Sequence, residues 1–270
     1  MGYFPFGDTH VHSAFSGDSE EEMEVTIGRA ISMGMPYLTF TDHMDLDFPD
    51  CGVSMIFDPA AYMEKIAELK EKYREKIQIY AGIELGLQPH LSARFRELLH
   101  TYPFDFVIGS QHLVNGSDPY YPETFDGKTD EEVYRAYFAD VLNSLRSFSD
   151  FDTLGHLDYV VRYGRNKAAS YSYSAYADQI DEILKLLVEK EIALEINTAG
   201  LRQGLGFPNP HPDVLRRYKQ LGGKYVTIGS DAHESSVLGS GFEEAKEILK
   251  ECGFAQITCF SGRNRHFVKF

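Results

Sequence analysis

Short apolar runs alternate with amphipathic stretches along most of the chain, and the alternation predicts strand and helix in turn. An extended segment around Asp8 to Ser13 comes first, then a helix over residues 20–33, with Ser19 placed as N-cap, carboxylates in its first turn and Gly34 as its stop. A strand over 36–41 runs into Asp42 and His43, and an Asp- and Met-rich loop covers 44–57. Asp58 and Pro59 then open a helix that reaches about residue 76. The same beat repeats: strand 77–81 and helix 89–99; strand 104–108 and helix 131–148; strand 153–156 and helix 175–189; strand 192–197 and helix 212–221; strand 225–228 and helix 242–252. A final short strand covers 255–260.

This gives about seven βα units whose strands are short and almost wholly apolar, the pattern of a parallel sheet covered by helices. No Gly/Ser- or Pro-rich linker interrupts it, so a single domain over residues 1–270 is expected. Polar residues recur at the C-terminal end of strand after strand. An open sheet needs them only beside its switch point, so closure into a barrel is favoured.

Those strand ends carry the candidate chemistry: His10, His12, Asp42, His43, Glu84, His112, His156, Glu195, Asp231 and His233. Six of the ten histidines lie there; His90, His100, His211 and His266 fall at helix ends or in the tail, where an ordinary surface role suffices. His10 and His12, two apart on an extended segment, share a face. Any one of these histidines taken alone reads as structural, but six in one register point to a metal centre. Nitrogen and oxygen donors without thiolate suit zinc, manganese or iron, and the supply exceeds what one tetrahedral ion needs. Glycine precedes several ends (Gly82, Gly109, Gly155, Gly229), where close backbone approach is useful.

Composition narrows the partners. A net charge of −15 disfavours nucleic acid and anionic membrane, and no apolar run is long enough to span a bilayer. No basic-then-apolar leader opens the chain. Three widely spaced cysteines (Cys51, Cys252, Cys259) suit a reducing cytoplasm rather than a disulfide framework. Oligomeric state leaves no mark in the sequence.

The stretches DTHVHS, FTDHMD, GIELGL, GSQHLV, GHLDYV and GSDAH, in this order, resemble the polymerase-and-histidinol-phosphatase (PHP) superfamily from about Asp8 to His233. HLDYVVRYGR and EINTAGLR resemble its histidinol-phosphate phosphatase branch. The resemblance implies a distorted (β/α)7 TIM-like barrel with two to three divalent transition-metal ions at the C-terminal ends of the strands. Carried over position by position, it places His10, His12, Glu84 and Asp231 on one ion, and Glu84 bridges to a second held by His112 and His156. Asp18, His43 and His233 fall on a third, with Asp18 standing where many members carry His. Asp42 and Asp158 are candidates for carboxylates that orient imidazoles.

Arg162 and Arg202 are expected on loops of the same face, and in the family arginines at these positions contact the substrate phosphate; Arg165 is a weaker third choice. Asp45, Asp47 and Asp50 are options for meeting a cationic amino group. The implied activity is hydrolysis of a small phosphomonoester, L-histidinol phosphate, in histidine biosynthesis. Another phosphoesterase or nuclease on the same scaffold, and a non-catalytic metal-binding barrel, are the alternatives.

Overall fold

The computed structural model of the protein describes residues 6–270, and the first five positions of the expected domain lie outside the described residues. In chain order the elements are α1 (Met23–Met33), β1 (Tyr37–Phe40), β2 (His43–Met44), α2 (Pro59–Tyr73), β3 (Gln78–Gly86), α3 (Ser92–Thr101), β4 (Phe106–Ser110), α4 (Asp130–Ser147), β5 (Thr153–Leu154), α5 (Ala177–Glu189), β6 (Ala193–Asn197), α6 (Ala199–Arg202), α7 (Pro212–Gln220), β7 (Val226–Gly229), α8 (Phe242–Glu251), β8 (Gln256–Ser261) and β9 (Asn264–Lys269). Strands β1, β3, β4, β5, β6 and β7 pair in that order, all parallel, and β2 continues β1 alongside β3. Every residue of β4, β6 and β7 is buried, as a parallel sheet with both faces covered requires.

The two outer strands of this sheet, β1 and β7, are joined through the segment that carries His10 and His12. Asp8 bridges to Leu38, and Val11 bridges to Ala232. Thr41 N donates to Val11 O at 2.8 Å, His12 N to Ala232 O at 2.8 Å and Asp231 N to His10 O at 2.9 Å. With β1 and β2 counted as one stave, the segment is the seventh and closes the curled sheet into the expected distorted barrel. Closure leaves neither strand with an open edge.

Local chemistry explains most element ends. Asp58 accepts from Ala60 N with Pro59 in the first helical position, and Thr129 and Glu132 cap each other at the start of α4. Gly34 ends α1 at a φ of 75°. The start of α1 differs from expectation. The helix begins at Met23 behind Glu22, so Ser19 lies outside it; its hydroxyl accepts from Glu21 N at 3.2 Å and donates to His233 O at 2.8 Å.

Two further elements depart from expectation. A short helix, α6, forms where a loop was expected, and the chain ends in an antiparallel β8–β9 hairpin rather than one strand. The hairpin turns through Gly262 and Arg263 at φ values of 53° and 61°, the two left-handed residues of a type I′ turn. Gly-Arg is not a usual pair for that turn, and β9 is exposed along most of its length, so no apolar alternation announces it. Phe260 stacks on Phe106 at 5.2 Å, Arg265 lies over the Tyr225 ring, and Gly262 N and Arg263 N donate to Asp105. These partners sit at the N-terminal ends of β4 and β7, so the hairpin occupies the end of the barrel away from the strand-end histidines. Among the described residues no helix is long and apolar enough to cross a membrane.

Glycine is sterically required at the end of β7. A Cβ on Gly229 would lie 2.3 Å from His10 Cβ and 2.7 Å from Glu195 Oε1, whereas one on Gly28, exposed in α1, meets nothing within 4 Å. Gly229→Ala should therefore cost about 1–3 kcal/mol by overpacking, a fall of about 3–10 °C in Tm. Gly28→Ala should raise Tm through helix propensity. Thermal unfolding of the two variants tests the contrast, and equal shifts would refute it.

Candidate metal centre

Three of the predicted residues stand two positions beyond the last residue of their strand: His112 after β4, His156 after β5 and Asp231 after β7. Glu84 lies within β3, His43 opens β2, and His10 and His12 project from the closing segment. His156 and Asp231 take left-handed φ values of 44° and 56°, a conformation that costs a non-glycine residue about 1 kcal/mol or more. Gly155 makes room for the first of these turns, since a Cβ there would meet Ser110 Oγ at 2.1 Å.

The donor atoms converge. His10 Nε2 and His12 Nε2 lie 3.3 and 3.5 Å from Glu84 Oε2, and 3.7 and 3.4 Å from Asp231 Oδ1. A tetrahedral ion with bonds of about 2.0–2.2 Å has ligand–ligand edges of about 3.3–3.6 Å. His10 Nε2, His12 Nε2 and Glu84 Oε2 are buried without a hydrogen-bond partner, a costly state that a cation among them relieves. The other carboxylate oxygen faces a second group: Glu84 Oε1 lies 3.0 Å from His156 Nε2 and 3.3 Å from His112 Nε2, which are 3.4 Å apart. A third lies at the mouth, where Asp18 Oδ2 is 3.1 Å from His233 Nε2 and 3.5 Å from His43 Nε2. The residues fit metal ions.

The opposite ring nitrogens are held in place. His10 Nδ1 meets Glu195 Oε1 at 2.6 Å, His112 Nδ1 meets Asp45 Oδ1 at 2.6 Å, and His12 Nδ1 meets Ser16 Oγ at 3.0 Å. Each contact fixes the ring and favours the tautomer that frees Nε2 for an ion. Asp45 is thus buried against imidazoles, not offered to a substrate cation, while Asp47 pairs with Arg94 and His90 and Asp50 serves a local turn. Asp42 and Asp158 touch no imidazole. Asp42 accepts from Ser13 and from Ser16, whose hydroxyl meets His12, and Asp158 accepts from Asn209 and from His211 N.

Charge is unevenly shared. Burial opposes ionisation of Glu84, but His10, His112 and His43 hold its carboxyl well below the usual range. Burial likewise disfavours a charged His112, yet Asp45 and Glu84 push it up to about 10. Burial, with His233 and His43 nearby, pushes His12 down to about 3.

Above the cluster opens a cavity of about 690 Å³, lined by His43, His112, His156, Asp231, Arg162 and Arg202, with tyrosines and Asp118 on its far wall. Arg162 is buried on a 3-10 turn and donates to Asn209, Asp231 and Asn197, while Arg202 donates from α6 to the carbonyls of Ser230 and Asp231. Arg165 bonds to Phe125 O and does not reach the cavity. Sequence reasoning gave Glu195 no role and passed over Asn197, Asn209 and Asp118. The one available signal was the strand alternation that puts Asn197 on the same face as Glu195.

An ion entering this cluster must displace protons from His10 and His112, both of which the neighbouring carboxylates hold protonated at neutral pH. Binding should therefore release protons and tighten as pH rises from 6 to 8, about tenfold per unit for each proton displaced. Calorimetric metal titrations in two buffers of different ionisation enthalpy measure this, and no net proton release would contradict it.

The comparisons with known proteins agree with this geometry. A histidinol-phosphatase of Lactococcus lactis subsp. lactis is 34% identical over 94% of both chains, and a Clostridium acetobutylicum protein named "Probable histidinol-phosphatase" is 34% identical over 93% of this chain and 95% of its own. The crystal structure of the Lactococcus lactis histidinol phosphate phosphatase, complexed with zinc, L-histidinol and phosphate, superposes with a TM-score of 0.88, covering 96% of this chain and 98% of that one. The family model of the PHP domain matches residues 8–199. The chain belongs to the PHP domain family, in its histidinol-phosphatase branch.

Proposed function

We propose that the protein hydrolyses a small phosphomonoester, L-histidinol phosphate, to L-histidinol and phosphate. One observation carries the reading: two guanidinium groups, Arg162 and Arg202, share a cavity with a cluster of His and carboxylate donors built to hold cations. The relative of known structure binds zinc, L-histidinol and phosphate, and its 34% identity extends over nearly the whole chain.

In this reading His10, His12, Glu84 and Asp231 would hold one ion, Glu84, His112 and His156 a second, and Asp18, His43 and His233 a third. Divalent ions in such sites polarise phosphoryl oxygens and supply a water-derived nucleophile at neutral pH. The chain's own residues do the rest. Arg162 and Arg202 bind the remaining phosphoryl charge, and Glu195, Asp45 and Ser16 keep the imidazoles aimed. Tyr120, Tyr121, Tyr159 and Tyr163 line the cavity beside the metal-facing side chains. Among the described residues Asp118 forms no ion pair, and burial raises its pKa more than His112 lowers it, so a cationic amino alcohol would supply a close counter-charge.

A net charge of −15 disfavours a polynucleotide. The reading takes residues 1–270 as one phosphoesterase domain acting on a small molecule in the cytoplasm, consistent with three unpaired cysteines.

Two outcomes test it. Arg202→Ala should leave metal content unchanged and weaken competitive inhibition by inorganic phosphate about ten- to a hundredfold, since charge-assisted bonds contribute about 1.5–3 kcal/mol; wild-type inhibition would remove Arg202 from the phosphate site. Asp118→Asn should raise KM for L-histidinol phosphate about fivefold, the effect of roughly 1 kcal/mol, and leave KM for p-nitrophenyl phosphate unchanged. An equal change for both substrates would show that Asp118 does not read the substrate's positive charge.

A further inference from the structure

Between Arg162 and the metal-holding side chains lies a buried amide. Asn197, the last residue of β6, is fully buried, and both ends of its side chain are engaged. Its Oδ1 accepts from Arg162 Nη2 at 3.0 Å and from Ala199 N at 3.0 Å. Its Nδ2 donates to Glu195 Oε2 at 3.1 Å and to Asp231 Oδ2 at 3.3 Å. Glu195 holds His10, and Asp231 Oδ2 also accepts from Arg162 Nη1 at 3.1 Å. The main chain of Asn197 pairs in both directions with Asn209, at 2.7 and 2.8 Å, and Asn209 Oδ1 accepts from Arg162 Nε at 2.9 Å.

Arg162 thus commits three of its five N–H donors to the protein and keeps one on each Nη nitrogen for an anion. Few side chains could replace the amide. An aspartate would set a third negative charge against Glu195 and Asp231, and an alanine would leave Arg162 without one of its braces. A primary amide turns an acceptor to the cation and a two-donor nitrogen to the carboxylates at once.

We propose that Asn197 is a positioning residue that aims Arg162 at the phosphoryl group and ties that aim to the metal-holding side chains through Glu195 and Asp231. The inference rests on the assignment of Arg162 to phosphate. It makes the effect of Asn197 conditional: removing the amide matters only while Arg162 is present to be aimed.

The test measures inorganic phosphate binding by calorimetry on protein reconstituted with saturating metal, with metal content verified by elemental analysis. Asn197→Ala is made alone, on Arg162→Ala and on Arg202→Ala. Asn197→Ala should weaken phosphate binding about tenfold alone and about tenfold again on Arg202→Ala, but less than twofold on Arg162→Ala. General damage to the site would lower affinity equally in both backgrounds, and that result, or no loss from Asn197→Ala alone, overturns the proposal. Wild-type phosphate affinity in Arg162→Ala would be a different failure, removing the clamp on which the inference rests. Should Asn197→Ala not fold, Asn197→Ser, which also loses the two-donor nitrogen, undergoes the same comparison.

Discussion

A carboxylate with no access to water organises the open end of this barrel. Glu84 is fully buried, takes a hydrogen bond from Ser110 Oγ at 2.6 Å, and presents each oxygen to a different set of imidazoles. Left alone, such a charge would take up a proton rather than remain ionised. Asp231, Asp45 and Glu195 add further buried carboxylates, against which Arg162 is the one buried guanidinium among the described residues. The deficit is met by protons on His10, His43 and His112, or by metal cations in their place. Protons and metal ions are alternative ways of neutralising the same carboxylates, which links the electrostatics of folding to the chemistry of the site.

Much of this was legible in the sequence because a parallel barrel writes its site in one place. Apolar strands made the architecture readable, and polar residues just past each strand marked the face where the chemistry collects. His112, His156 and Asp231, at the same offset from β4, β5 and β7, show how regular that mark is. What stayed hidden depends on distances across the barrel. Nothing local in the chain says that Asp45 turns inward to His112 while Asp47 turns outward to Arg94. Asp42 reaches an imidazole only through Ser16, and Asp158 reaches none, for a related reason. Adjacency to a histidine in sequence is not adjacency in space, and these carboxylates serve the serines and the asparagine one layer further out. The β8–β9 hairpin was missed because an exposed strand carries no apolar alternation.

The second layer carries as much information as the first. Ser16, Glu195 and Asp45 fix imidazole tautomers, while Asn197 and Asn209 brace Arg162, so the groups that would meet a substrate have little rotational freedom. Preorganisation of this kind stores the cost of ordering in the folded state, where it need not be met again at each turnover.

The closing stave also sets a schedule. His10 and His12 precede their partner Asp231 by more than two hundred positions in the chain. At roughly 5–20 residues per second, a ribosome exposes the histidines for about ten to forty seconds before it adds that aspartate. During synthesis the nascent chain can present imidazoles to passing metal ions, but the first four-residue site exists only after β7 has formed and the ring has shut. Cation selection is thereby deferred to the finished barrel, where spacing and burial, rather than the order of encounter, decide which ion stays.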